Sequence, residues 1–335
     1  MNTTMPISDH SVARSPARQA GFTLIEMMIS VTIGLGLLAG LVGVLATSSS
    51  NSRSNDKTSE LMTNGRYALN SIKQELREAG FRGYTWAEPD TVAPGALGAL
   101  GNECRQGVNV SGSFISNTRQ GIWGFNDANP FDAASAGNCI TQYLAGNDVL
   151  VVRRLAPFPA TALVANTVYF QSTYARGQVF RGAVAPVFGG APTPLASFAV
   201  QVYVYYISPV TNTTTPEVPA VPSLRRVALS STGAMVDELV ASGIEHLQVQ
   251  FGHLATNGAT QYLNAQTAPL DSDSSNALSA VWDDVNSVRI WLLARNTLAE
   301  PGYANTQTYT MGGQDFVKND GFRRQVFTTV VQLRN

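Results

Sequence analysis

Charge is scarce in this sequence. Lys, Arg, Asp and Glu make up 13% of its 335 residues, with 22 basic side chains against 23 acidic; about a quarter is usual. Such a balance leaves no basic footprint for nucleic acid. A weakly charged surface rich in Ser, Thr, Asn and Gln suits a compartment outside the cytoplasm. Histidine is scarcer still, with only His10, His246 and His253. No nucleophile elbow, phosphate-cradling loop or zinc-binding helix is present, so no catalytic residue and no cofactor are expected. Cysteine is limited to Cys104 and Cys139, which without suitably spaced histidines cannot complete a four-ligand zinc site. No fixed-period repeat is visible.

What the sequence does have is one long apolar run, from Phe22 to about Ala46, behind a polar leader that contains Arg14 and Arg18. As a helix rising about 1.5 Å per residue, the run crosses the roughly 30 Å hydrocarbon core of a bilayer. It is too long for the core of a secretory signal, and no small-residue cleavage site follows it. The small residue stands in front, at Gly21. Its one ionisable residue is Glu26, and an acid inside such a segment is costly enough to imply a function. Arg14 and Arg18 precede the span while Ser48, Ser49, Ser50 and Asn51 follow it, so the leader is expected to stay cytoplasmic and the rest to face the periplasm. There, Cys104 and Cys139 are expected to be bonded; two separate buried thiols are the other reading.

Beyond the span the helix is expected to continue. Leu61, Gly65, Ala68, Leu69, Ile72, Leu76 and Ala79 recur every three or four residues, with Lys57, Arg66, Lys73, Glu75 and Glu78 between them, which gives one apolar face. Gly80 is the expected stop. Gly34, Gly36, Gly40 and Gly43 lie in the apolar half, for close packing of membrane helices or for local melting on leaving the bilayer. Residues 85 to 147 read as loops with short strands around the cysteine pair. Strand signals follow in Asp148 to Leu155, in Phe198 to Tyr206, and in Leu224 to Leu229. Later ones are Leu247-Val249-Phe251, Val288-Ile290-Leu292 and Phe327 to Leu333. Pro209 to Pro222 cannot hold a central strand. His246 falls on the opposite side of its strand from Leu247, Val249 and Phe251, and is expected to face solvent. Asp271-Ser-Asp-Ser-Ser-Asn276, near Asp283 and Asp284, offers clustered oxygens of the kind calcium takes. The segment lacks the glycine and glutamate of an EF-hand loop, so it reads as a solvated acidic loop and no metal is assigned.

Gly21-Phe-Thr-Leu-Ile-Glu26 followed by an apolar helix resembles the type III signal of type IV prepilins and type II secretion pseudopilins. The resemblance implies that a prepilin peptidase cuts between Gly21 and Phe22 and methylates the new amine of Phe22, with Glu26 serving filament assembly. Removing Arg14, Arg18 and Asp9 with the leader leaves 20 basic against 22 acidic side chains. Asn64-Gly-Arg-Tyr-Ala-Leu69 and Glu75 to Tyr84, with Ile244 to Gly252, Ser287 to Arg295 and Arg323 to Asn335, resemble the PilW-type minor pilins. Residues 85 to 241 resemble no family.

The fold expected is α+β: a long N-terminal helix, membrane-spanning in its first half, packed on an antiparallel sheet with extra strands and long loops. The expected parts are a leader (1–21), a helix (22–80, transmembrane over 22–46 and amphipathic over 47–80) and a β-rich periplasmic head (81–335). The resemblance implies a structural minor pilin with no reaction of its own. It would prime type IV pilus assembly at low copy, near the filament tip, beside other minor pilins, the major pilin and the inner-membrane assembly platform. It would begin as a single-pass inner-membrane protein and end in the extracellular pilus. Two alternatives stay open: a J-type minor pseudopilin of a type II secretion system, and an adhesin head carried on a pilin helix.

Overall fold

A computed structural model describes residues 21–93, 95–105, 111–131, 139–190, 193–270 and 280–334. Helix α1 runs Leu24–Arg77. The chain divides into two compact units at Ser54/Asn55, so the second half of α1 folds with the head and the first half forms a unit of its own.

In the first unit the apolar side chains from Phe22 to Leu45 are exposed. The four glycines Gly34, Gly36, Gly40 and Gly43 have open space where a Cβ would stand. Among the described residues, α1 is the one helix long and apolar enough to cross a membrane.

In the second unit the periodicity of α1 becomes its buried face: Leu61, Ala68, Ile72 and Leu76 lie in the core. Gly65 falls on the same stripe, and there the helix meets the ring of Phe327. The helix stops where expected, since Gly80 takes φ +77° in the left-handed region that glycine tolerates. Its backbone N–H then donates to Arg153 O at 3.0 Å, and Arg154 reaches back to Glu75 and Glu78 at 2.6 and 2.7 Å. The end of the helix is thereby fixed to a strand.

That strand, β2 (Val149–Leu155), belongs to a seven-stranded antiparallel sheet with β1 (Ile122–Phe125), β3 (Val168–Ser172), β4 (Gly177–Arg181), β5 (Ala196–Ser208), β6 (Ser223–Leu229) and β7 (Met235–Ser242). The thirteen-residue β5 is its hub: its first residues pair with β3, its later ones with β2 and β6. Phe198, Val200, Val202, Val204 and Tyr206 are buried, as their alternation predicts; Tyr205 on the other face is buried too.

A second sheet has the order β13-β10-β8-β9, from β8 (Ile244–Leu254), β9 (Thr260–Leu263), β10 (Val285–Arg295) and β13 (Arg324–Gln332). The sheets are joined at Asn147 and Asp148. Asn147 Oδ1 accepts the N–H of Leu247 at 2.8 Å, and Asp148 Oδ2 accepts that of Val249 at 2.6 Å. These side chains serve the stretch of β8 that β9 does not reach, which satisfies buried backbone donors. A hairpin of β11 (Thr308–Met311) and β12 (Gln314–Val317) forms a smaller apolar cluster in which Tyr309, Met311 and Phe316 meet Trp291, Leu293 and Val326.

Candidate processing and assembly site

Gly21, Phe22 and Thr23 precede the first turn of α1. Thr23 and Glu26 then cap it reciprocally. Glu26 Oε2 accepts the backbone N–H of Thr23 at 2.9 Å and its hydroxyl at 2.8 Å, while Thr23 Oγ1 accepts the N–H of Glu26 at 3.3 Å. This is a capping box, and Thr followed three residues later by Glu is its sequence signature. Thr23 was not singled out from the sequence, although the spacing was there to be read. The acid therefore has two capacities: it closes the helix end, and it holds a negative charge among exposed apolar side chains, four residues from Phe22.

The structure joins Cys104 to Cys139. Around the bond, the buried Glu103 carboxylate accepts the N–H groups of Gly112 and Phe114 at 2.7 and 3.2 Å, holding the short helix α2 (Ser113–Ser116). Arg153 lies fully buried beneath. Its Nε donates to Phe114 O at 3.0 Å, and its guanidinium stacks 4.3 Å above the Phe114 ring. This is a satisfied structural cation rather than a reactive one.

His246 does not face solvent. It is 7% exposed, with its ring 4.3 Å from that of Phe316. The strand alternates as the sequence indicates, but hairpin β11–β12 covers the face that was expected to be wet. Burial pushes its pKa down to about 4, so the ring is neutral at pH 7. Where β2 meets β8, Asp148 accepts the N–H of Asp127 at 3.0 Å, and Asp127 accepts Gln248 and Gln314 at 3.2 and 2.7 Å. Burial pushes the Asp148 carboxyl up to about 7, against the two N–H groups that stabilise its charge.

The acidic segment Asp271–Asn276 lies outside the described residues. Asp283 and Asp284 end a 3-10 turn, Ala280–Asp284. Asp283 lines a cleft of about 540 Å³ together with Arg82, Glu88 and Arg119; Arg119 pairs with Glu88 at 2.7 Å. Among the described residues no cluster of three potential metal ligands forms. Residues 209–222 make a loop held by one carboxylate, since Glu217 accepts the N–H groups of Thr211, Asn212 and Val221. Desolvation opposes its charge, yet these bonds bring its pKa down to about 2.

Two families match this chain. Residues 16–42 match the prokaryotic N-terminal methylation motif, which includes Gly21, Phe22, Thr23 and Glu26. Residues 204–335, from the second half of β5 through the whole four-stranded sheet, match the type IV pilus-assembly protein W family, PilW. The chain carries a PilW region behind a prepilin-type methylation motif. No curated protein matches the sequence. A solved type IV-like pilin from Thermus thermophilus is similar at 14% identity and a TM-score of 0.33, over 84% of this chain and 96% of that one. The PilW match begins inside the stretch 85–241 that by its sequence resembles no family, and takes in the end of β5 with β6 and β7; β1 to β4, with the disulfide, precede it.

Proposed function

We propose that this chain is a PilW-type pilin, a minor subunit that primes type IV pilus assembly, present at low copy near the filament tip. The observation that carries the reading is the PilW match over the C-terminal sheet behind a methylation motif. In this reading prepilin peptidase cuts between Gly21 and Phe22 and methylates the amine of Phe22. Arg14 and Arg18 hold the leader in the cytoplasm, α1 anchors the chain in the inner membrane, and the head awaits other minor pilins, the major pilin and the assembly platform in the periplasm. The finished location is the extracellular pilus.

Electron microscopy of a strain lacking the protein is the test. Loss of most surface pili, restored by the wild-type chain, is expected. Normal pili combined with lost protein secretion would place the chain in a type II secretion system instead. One observation favours a second role as an adhesive head: loop 209–222 is held in shape by Glu217 and yet presents Val218 at 96% exposure. Its deletion would then abolish attachment while leaving pilus number unchanged.

A further inference from the structure

The outer edge of β13 differs from the other sheet edges of the head. Strands at an edge expose unpaired N–H and C=O groups, and proteins protect them by shortness, charge, proline or a bulge. The edge strands β1 and β9 have four residues each and β4 has five. The longer β7 carries Asp237 and Glu238, and its pairing with β6 is interrupted by a register shift. Strand β13 is longer, and its one charged residue, Arg324 at its start, is buried and paired with Glu245 and Asp320. Over nine residues it pairs with β10 without a register shift, and no described strand pairs its other side. From Gln325 to its end at Gln332 it contains no charged residue and no proline. Val330 is 50% exposed, between the exposed Thr328 and Gln332.

Beside this edge lies a second, independent feature. Two adjoining grooves of about 440 Å³ each run between α1 and the end of β13. They share Lys73, Arg77 and Arg334, and no described side chain forms an ion pair with any of the three. Glu78, the one carboxylate lining them, is already paired with Arg154 at 2.7 Å. A row of unpaired cations along an open strand edge complements an extended segment that offers backbone hydrogen bonds and negative side chains.

We propose that β13 is a docking edge for an extended acidic segment of a partner protein, which adds to the sheet as a fifth strand. Backbone hydrogen bonds to β13 supply affinity, and carboxylates set against Lys73, Arg77 and Arg334 fix its direction and register. Because the proposal rests on the groove and the edge alone, it stands whichever filament the pilin serves.

The test uses the full-length chain in detergent and three fluorescent peptides that alternate Val or Thr with Glu, with Lys, or with Glu on an N-methylated backbone. Anisotropy should show saturable binding of the acidic peptide, weakening as salt rises. It should show at least tenfold weaker binding of the N-methylated form and none of the basic one. Lys73→Glu with Arg77→Glu, whose fold is checked by circular dichroism, should lose the acidic peptide and gain the basic one. Hydrogen exchange should slow at amides within 325–333 when the acidic peptide is bound. Equal binding of the normal and N-methylated acidic peptides would overturn strand addition, leaving a merely electrostatic groove. Absence of binding by any peptide, or exchange protection elsewhere, would overturn the docking edge itself.

Discussion

Gly65 of α1 lies against the ring of Phe327 of β13 so closely that a Cβ at position 65 would stand 2.2 Å from Phe327 Cε2. The contact sets how near the amphipathic helix comes to the C-terminal sheet. Any side chain at 65 must push the ring or the helix away, and overpacking of this kind typically costs about 1–3 kcal/mol. Gly65→Val is expected to lower the denaturation midpoint of the head. Adding Phe327→Ala should then recover part of the loss, since the two substitutions share one contact. Strict additivity of the two effects would show that the contact does not limit the packing.

The acid sensitivity of the head is expected to trace in part to His246. Its folded pKa is near 4 and its ordinary value 6.5, so the unfolded chain takes up the proton first. The stability from the neutral ring is therefore present above about pH 6.5 and lost as pH falls toward 4. Burial, joined by Lys318 and Arg324, outweighs Glu245 and Asp127, which favour the charged ring. Asp148 works the other way, because an acid raised from 3.8 to about 7 contributes stability below pH 3.8 that is lost as pH rises through 7. A difference curve between the parent and His246→Leu isolates the histidine. The variant should gain relative stability on acidification, on the order of 2–3 kcal/mol by about pH 4. A flat difference curve would mean that the ring is hydrated.

His246 also marks the limit of what the sequence reveals. Its strand was legible because alternation is local, but the cover over its outer face comes from Thr308–Val317, and nothing near residue 246 announces that. The buried stripe of α1 and the main parts of β2, β5, β6, β8, β10 and β13 carried periodic signals long enough to read. Strands β3, β4 and β9 have only four or five residues, and β7 carries Asp237 and Glu238 within it, so neither length nor alternation distinguishes them from loops. Buried Arg153 was invisible for a related reason: a cation in a core depends on Phe114 and Gln120, which are distant in sequence. At the N-terminus, by contrast, Gly21, Phe22, Thr23 and Glu26 fall within six consecutive residues, so a local motif is enough to mark them.

The bond between Cys104 and Cys139 closes a separation of 35 residues. In the chain-entropy account a loop of this size contributes about 3–4 kcal/mol, acting through the unfolded state. Cys104→Ser should lower the stability of the head by up to that amount while leaving α1 helical by circular dichroism. Thiol counting in unreduced, denatured protein should find none free; two free thiols would remove the bond from the mature pilin.

Maturation should depend on Gly21, which precedes the helix with open space around it. A bulky residue would face the peptidase at the cleavage point. Gly21→Leu is expected to leave full-length precursor in the membrane fraction. Recovery of a mature chain beginning at Phe22, by mass spectrometry, would sink the assignment of the cleavage site.

The capping box at Thr23 and Glu26 makes the role of the acid separable into two parts. Glu26 closes the first turn of α1 through Thr23, and we propose that its charge also neutralises an amine of Phe22, that of a neighbouring subunit in the filament rather than that of its own chain. A capping role needs only an oxygen that accepts hydrogen bonds, which glutamine supplies as well as glutamate. A pairing role needs the negative charge, because a buried ammonium left without its partner is strongly unfavourable. Glu26→Gln should therefore be inserted, cleaved and capped like the parent, yet enter filaments as poorly as Glu26→Val. Thr23→Val, which removes the hydroxyl and keeps the charge, should assemble nearly normally. The measurement is the ratio of each variant to the major pilin in sheared pili, with total membrane levels as the control. If Glu26→Gln is recovered at the parental ratio and Glu26→Val is not, the acid acts as a cap, and the pairing between subunits must be given up.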